Sequence, residues 1–136
     1  MKIPILRLDR ILLASIQVDL TDIDAMQFQN DVVSKIVEVE AQGIAIDITS
    51  LDVVDSFMAR VINETACMAR LLGSEVVICG VQPFVAVTLV EMGRDLISAE
   101  CTFNLDQGLK RLRALIAVRG DVPMDRGDDD ALADPA

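Results

Sequence analysis

Residues 44–56 read Ile-Ala-Ile-Asp-Ile-Thr-Ser-Leu-Asp-Val-Val-Asp-Ser and hold the strongest signals for the fold. The apolar run at 44–48 predicts a short buried β-strand, because a strand covered on both faces does not alternate with polar residues. The aspartates and serines that follow predict an acidic loop, and Ser56 is predicted to begin a helix. This stretch therefore presents a surface hydroxyl at a helix N-terminus, between carboxylates, which favours a reversible phosphate over catalysis.

Strand and helix patterns alternate on both sides of this stretch. Further strands are predicted at residues 3–6 and 11–17, within 75–79 and at 102–104. Four helices are predicted: from Thr21 or Asp22 to about Ala41, from Ser56 to about Leu72, from Pro83 to near Gly93, and from a cap at Asp106 onward. Gly43 and Gly73 are predicted to end the first two helices. Short apolar strands joined by helices predict an α/β fold, with a mixed, mostly parallel sheet of about five strands and about four helices packed on it. No helix separates the first two strands, so these two can pair differently.

The length and the distribution of charge predict one domain followed by a tail. A chain of 136 residues is long enough to bury a core of its own. Residues 120–136 carry six aspartates against the single Arg126, with two prolines and two glycines. Because this composition offers little apolar surface to offset the entropy of ordering, we predict a folded domain over 1–118 and a disordered acidic tail over 119–136.

Missing residue types restrict the chemistry. The chain has no histidine, which removes Ser-His-Asp and Cys-His catalysis and His-ligated metal. It has no Trp or Tyr and a net charge of −10, so binding to nucleic acid or to an anionic membrane surface is disfavoured. We therefore expect no enzyme activity, no cofactor, no metal and no nucleic-acid or membrane partner.

The cysteines and the N-terminal sequence indicate the compartment. Cys67, Cys79 and Cys101 form no Cys-x-x-Cys pair, and an odd number favours reduced thiols that pack as small hydrophobes. The first residues lack the apolar region of a signal peptide, and no apolar run approaches the roughly 18 residues of a membrane span. A cytoplasmic protein is expected.

The third predicted helix is apolar on nearly all sides. A helix of this kind is either enclosed by the core or presents its outer face to another chain. Full burial is difficult in a small domain, so we predict a surface for a partner or for self-association. Its candidate residues are Phe84, Val85, Leu89 and Met92.

Two interpretations of Ser56 follow from the pattern alone. In the first, Asp55 or Ser56 is only the N-cap of a helix and accepts a hydrogen bond from a free backbone N–H. Such a cap stabilises the protein by about 1 kcal/mol. In the second, Ser56 accepts a phosphate that adds about −1.5 to −2 charges beside Asp52 and Asp55. A partner that docks on this loop would then meet a changed surface while the domain stays folded.

Two stretches carry a resemblance to a known family. Asp-Ile-Thr-Ser-Leu-Asp-Val-Val-Asp-Ser-Phe, at 47–57, resembles the phosphoserine loop of STAS domains, the fold of anti-sigma-factor antagonists. Gly-Val-Gln-Pro-Phe-Val-Ala-Val-Thr-Leu-Val-Glu-Met-Gly, at 80–93, is similar to RsbS-type proteins, the small STAS scaffolds of the bacterial stressosome, and so is the opening 2–6. The resemblance spans about residues 2–118 and implies the STAS fold.

The same resemblance implies a function. It implies a non-enzymatic scaffold that assembles with copies of itself and with RsbR-type paralogues, and that sequesters an RsbT-type serine/threonine kinase. The phosphoserine of the family falls on Ser56, and the docking loop includes Thr49, Asp52, Asp55 and Phe57. Phosphorylation would release the kinase to a downstream regulator. Because the kinase supplies the nucleotide site, this chain needs no cofactor.

Other classes of protein remain as alternatives. A free anti-sigma-factor antagonist would use the same fold and serine but bind an anti-sigma kinase one-to-one. A receiver-like module would phosphorylate Asp47 or Asp52, but the chain lacks the acid pair after the first strand and the lysine after a late strand that receivers use. An enzyme would need a base beside a nucleophile, and the sequence offers no such pair.

Overall fold

Five strands and four helices alternate in the computed structural model, which describes residues 3–91 and 99–120. In chain order they are Ile5–Leu8 (β1), Ile11–Ser15 (β2), Asp22–Val39 (α1), Gly43–Asp47 (β3), Ser56–Leu71 (α2), Glu75–Cys79 (β4), Pro83–Glu91 (α3), Glu100–Thr102 (β5) and Leu105–Val118 (α4). The predicted order of elements is confirmed, including the helix starts at Ser56 and Pro83.

The strands form one sheet in the order β1-β2-β3-β4-β5. β1 and β2 are antiparallel and are joined by a tight turn at Asp9 and Arg10, where Asp9 has a φ of 58°. β2 through β5 are parallel. The mixed, mostly parallel sheet and the different pairing of its first two strands are therefore confirmed. Because the carboxyl ends of parallel strands share one edge, the loops after β2, β3 and β4 meet there.

Both faces of the sheet are covered by helices. On one face, Ile44 and Ile46 of β3 belong to the core that includes α1, α2 and α3. On the other face, Ala45 packs in a second cluster with Leu112 and Ile116 of α4. Successive side chains of a strand point to opposite faces, so this arrangement requires an apolar residue at each of these positions.

The end of α1 differs from the prediction. Gly43 does not end the helix. Glu40 takes the left-handed conformation, with a φ of 53°, and its backbone N–H bonds to the carbonyl of Ile36. Gly43 is instead the first residue of β3, where a Cβ atom would lie 2.7 Å from Cδ1 of Leu112. This glycine therefore permits the close approach of α4 to the sheet.

The start of α4 is also corrected. Asp106 is not the cap, because the Asn104 side chain accepts a hydrogen bond from the Gln107 backbone N–H at 2.8 Å. Asp106 lies in the first turn and forms an ion pair with Lys110 at 3.4 Å. A carboxylate there stabilises the helix through its N-terminal partial charge rather than by capping.

Two strand positions shift relative to the prediction. β1 lies at Ile5–Leu8 rather than at 3–6, because the hairpin pairs Arg7 with Leu12 of β2. β5 lies at Glu100–Thr102 rather than at 102–104, since Asn104 is already used to begin α4. In both cases the strand includes charged residues that hydrophobicity alone does not assign to a strand.

Parts of two predictions lie outside the described residues. They are the end of the third helix near Gly93 and the acidic tail from residue 121 onward. Within the described ranges, α4 ends at Val118, and none of the helices is both long and apolar enough to cross a bilayer.

Candidate functional site

The Ser56 loop, residues 48–56, connects the carboxyl end of β3 to α2. Leu51 and Val54 each have only 2% of their surface exposed and belong to the core below the loop. Between and after these anchors, Asp52, Val53 and Asp55 are exposed. The loop is therefore fixed from beneath by apolar side chains while its acidic residues face solvent.

Asp55 caps α2 and leaves Ser56 as the first helical residue. The backbone of Asp55 is extended, and its carboxylate accepts a hydrogen bond from the Met58 backbone N–H at 2.7 Å. Ser56 is exposed. Of the two residues that the pattern offered as the cap, the structure selects Asp55. The Ser56 hydroxyl is therefore not used for capping and lies at the positive end of the helix dipole.

Asp55→Ala is expected to lower the free energy of unfolding by about 1 kcal/mol, because the N–H of Met58 loses its acceptor. Asp55→Asn provides the matched control, since asparagine is an equally good cap. The two variants are compared by urea denaturation. Equal losses of stability would show that the charge of Asp55, rather than its capping hydrogen bond, stabilises the start of α2.

A shallow pocket adjoins the Ser56 loop. It measures about 170 Å³ and is lined by residues of the β2–α1 connection, the loop itself and α2: Asp19, Leu20, Leu51, Val53, Asp55 and Met58. Pockets that enclose small ligands usually measure about 300–1,000 Å³. The size and exposed carboxylates of this pocket suit contact with a protein surface better than enclosure of a small molecule.

A basic side chain, that of Arg60, lies close to Ser56 along α2. The Arg60 guanidinium sits over the ring of Phe57, 5.5 Å from its centroid. Phe57 is half-buried and packs against the core, so only part of this predicted docking residue is open to a partner. Arg60 follows Ser56 by four positions, and residues at this spacing are neighbours on a helix surface.

Thr49 ties the loop to β3 and to the connection between β4 and α3. Its backbone N–H and hydroxyl both donate to Asp47 Oδ1, at 3.1 and 2.6 Å, and its carbonyl accepts from Gln82 Nε2 at 2.8 Å. A Cβ atom at Gly80, whose φ is +78°, would collide with Oγ1 of Thr49. The connection between β4 and α3 therefore determines the position of Thr49.

Three of the predicted docking residues, Thr49, Asp52 and Asp55, thus lie in the Ser56 loop, and Phe57 lies in the first turn of α2. Four further residues position the loop. Leu51 and Val54 anchor the loop, and Gly80 and Gln82 hold it from the next connection. Gly80 and Gln82 carry a sequence signal only within the stretch that resembles RsbS-type proteins. Their contact with Thr49 depends on the pairing of β3 with β4.

The predicted assembly surface on α3 is corrected in part. Val85 and Leu89 are buried, because this face of α3 belongs to the same core as α1, α2 and one face of the sheet. Phe84, Val87 and Val90 are exposed, and they follow one another at intervals of three residues along the helix. Met92 lies outside the described residues. The outer face of α3 is therefore Phe84, Val87 and Val90 rather than the predicted set.

The ionisable groups show no arrangement for metal binding or thiolate chemistry in the part of the chain that the structure describes. No cluster of three or more His, Cys, Asp or Glu side chains is found there. Burial raises the pKa of the Cys79 thiol and that of the Cys101 thiol, so each favours its protonated form at neutral pH.

Comparisons with known proteins agree with this geometry. The family model for the STAS domain matches residues 2–105. RsbS of Moorella thermoacetica, in a structure that carries a glutamate in place of a serine, is 39% identical. The match covers 85% of this chain and 97% of that one, with a TM-score of 0.77. A chain from the structure of the stressosome, described as a signal integration and transduction hub, is 41% identical. That match covers 82% of this chain and 97% of the other, with a TM-score of 0.74.

A full-length relative is also similar. The RsbT co-antagonist protein RsbRA of Bacillus subtilis is 29% identical over 86 residues, which are 63% of this chain. The match spans 31% of the length of that protein. The chain belongs to the STAS-domain family. Within that family it is similar to the RsbS-type proteins of the stressosome, as the sequence motifs predicted.

Proposed function

We propose that this STAS domain is a non-enzymatic scaffold of a stressosome-like complex, switched by phosphorylation of Ser56. In the unmodified state it holds an RsbT-type serine/threonine kinase at the Ser56 loop. Phosphorylation releases the kinase to a downstream regulator. The observation that carries the proposal is the exposed hydroxyl of Ser56 at the first position of α2, with the capping role taken by Asp55.

The physical basis of the switch is a change of charge without loss of the fold. A phosphate on Ser56 adds about −1.5 to −2 charges. The free N–H groups of a helix N-terminus accommodate an anion, and Arg60 lies within one turn. Leu51 and Val54 keep the loop attached to the core. The surface presented by Asp52 and Asp55 therefore becomes more negative and bulkier while its backbone keeps its position.

The similarity to proteins of the stressosome supports the assembly part of the proposal. RsbS of Moorella and the stressosome chain each match this domain over nearly their whole length. We assign copies of this chain and RsbR-type paralogues as the assembly partners. The outer face of α3, with Phe84, Val87 and Val90, supplies an apolar surface for such contacts.

Ser56 is tested by intact-mass analysis after incubation with the cognate RsbT-type kinase and ATP. Wild type and Ser50→Ala are expected to gain the mass of one phosphate, and Ser56→Ala none. Ser50 is the matched control because it is an exposed serine of the same loop. No phosphate on wild type, with a kinase that modifies another substrate, would overturn the switch.

Kinase binding provides the second readout. Phosphorylated wild type is expected to bind the kinase at least about tenfold more weakly than unmodified protein, which corresponds to about 1.4 kcal/mol. Ser56→Ala is expected to bind equally well before and after incubation with ATP. A large particle formed with RsbR-type partners supports the scaffold, whereas a complex that stays one-to-one identifies a free anti-sigma-factor antagonist.

A further inference from the structure

The Arg60 guanidinium lies over an aromatic ring instead of pairing with a carboxylate. Its Cζ atom is 5.5 Å from the centroid of the Phe57 ring. Glu64 is exposed one turn further along α2, at the spacing of helical ion pairs. Within the described residues, however, the Arg60 side chain forms neither an ion pair nor a hydrogen bond. Its charge is therefore available to an anion that comes within reach.

The Arg60 side chain extends toward the start of α2. Side chains of a helix lean toward its N-terminus, and the position of the guanidinium over Phe57, three residues earlier, shows that Arg60 follows this rule. Ser56 is exposed and directly precedes Phe57. Cβ atoms four residues apart on a helix are separated by only about 5–6 Å, less than the length of an arginine side chain. A change of rotamer therefore carries the guanidinium from the ring to a group on Ser56.

The other charged groups around the Ser56 loop are acidic. Asp52 and Asp55 are exposed within the loop, and Asp19 lines the adjoining pocket from the β2–α1 connection. A phosphate on Ser56 would bring about −1.5 to −2 charges into this acidic surface. The planar guanidinium donates two parallel hydrogen bonds to a phosphate, whereas an aromatic ring offers only the weaker attraction of its quadrupole. Arg60 therefore prefers the phosphate to the ring.

We propose that Arg60 is the counter-ion of phosphorylated Ser56, and that it leaves the Phe57 ring to pair with the phosphate. This inference rests on the proposed phosphorylation of Ser56. In the unmodified chain a partner meets a hydroxyl and a guanidinium stacked on the ring. In the modified chain it meets a phosphate, an uncovered ring, and a guanidinium already engaged. Modification therefore changes three neighbouring groups of the docking surface together.

The pairing is tested by ³¹P NMR titration of the full chain with phosphoserine inserted at position 56 during synthesis. A neighbouring cation favours the dianion, so the second pKa of the phosphate is expected to lie at least about 0.3 of a pH unit lower with Arg60 than in Arg60→Gln. Arg60→Lys keeps the charge and is expected to retain part of this lowering. Equal pKa values with Arg60 and in Arg60→Gln would overturn the proposal.

Arg70→Gln is the matched control for the titration. It removes the same charge from the same helix, but Arg70 lies in the last turn of α2, with its Nη1 atom 3.5 Å from the Glu75 carboxylate. The pKa of the phosphate in this variant is expected to equal that of the chain with both arginines. If Arg70→Gln raised this pKa as much as Arg60→Gln does, the effect would be one of net charge, and the specific pairing would be refuted.

The departure from the ring has its own readout, the proton NMR signals of the Arg60 side chain. The ring current of Phe57 is expected to shift these signals in the unmodified chain, and Phe57→Leu is expected to remove that shift. Phosphoserine at position 56 is expected to remove it as well, and signals that stay ring-shifted would contradict the exchange.

The inserted phosphoserine makes this test independent of the kinase. A chain with both NMR effects that the kinase never modifies would refute the proposed switch and support the pairing. A chain that the kinase modifies at Ser56, but whose phosphate pKa is the same in Arg60→Gln, would refute the pairing and leave the switch intact.

Discussion

Gly80→Ala is expected to lower the free energy of unfolding by about 3 kcal/mol. Alanine at a φ of +78° is strained by roughly 1–2 kcal/mol. Its Cβ would also collide with the Thr49 side chain, and overpacking of this kind costs about 1–3 kcal/mol. Because Thr49 belongs to the Ser56 loop, the variant is also expected to change the rate of the proposed phosphorylation of Ser56. Urea denaturation and a phosphorylation time course measure the two effects.

Gly73→Ala separates the backbone strain from the collision. Gly73 also has a positive φ, of +100°, but a Cβ atom there meets nothing within 4 Å. This variant is expected to lose only about 1–2 kcal/mol and to be phosphorylated at the wild-type rate. Equal losses of stability at the two glycines would show that Gly80 is required only for its backbone conformation and that its contact with Thr49 contributes nothing.

Leu51→Ala is expected to lower the free energy of unfolding by about 2–4 kcal/mol, the usual result of truncating a buried leucine. The side chain is 2% exposed and fixes the middle of the Ser56 loop to the core. Its loss is also expected to make the loop more susceptible to proteolysis. Urea denaturation gives the stability, and limited proteolysis followed by mass analysis gives the site of cleavage.

Val53→Ala is the control for the loop anchor. Val53 is two residues away but 61% exposed, so its truncation is expected to change stability by less than about 0.5 kcal/mol. Proteolysis of this variant is expected to match wild type. If Val53→Ala were as unstable as Leu51→Ala, the loop would be stabilised by its exposed face, and the proposed division into buried anchors and exposed docking residues would be wrong.

The sequence predicted the parts of the fold that depend on local signals. Apolar runs predicted β2, β3 and β4, because these strands are buried on both faces and contain few polar residues. Pro83 marked the start of α3, since proline is best tolerated at the first turn of a helix. The aspartate and serine at 55–56 likewise marked the start of α2.

The features that the sequence did not predict depend on contacts between distant residues. Gly43 was interpreted as a helix stop, but its role is set by Leu112, a residue of α4 that packs across it. Val85 and Leu89 could not be separated from Phe84 by composition, because a helix that is apolar on all sides carries no periodic signal. The side of α3 that faces inward is determined only by its packing in the core of the folded domain.

The candidate site divides in the same way. Asp52, Asp55 and Ser56 lie within five positions of one another, so the sequence alone identifies them as parts of one exposed acidic loop. The hydrogen bond from Gln82 to Thr49 joins residues 33 positions apart and follows from the parallel pairing of β3 with β4. No local pattern predicts such a bond.

The strand order has a consequence for folding during synthesis. Because the spatial order of the strands equals their order along the chain, each strand that leaves the ribosome can add to the edge formed by the one before it. No strand must wait to be inserted between two others. Thr49, however, is held by Gln82 and packs on Gly80, so the Ser56 loop is expected to reach its final shape only after Gln82 has emerged. Under the proposed function, a nascent chain that ends before Gln82 would be a poor substrate for the kinase.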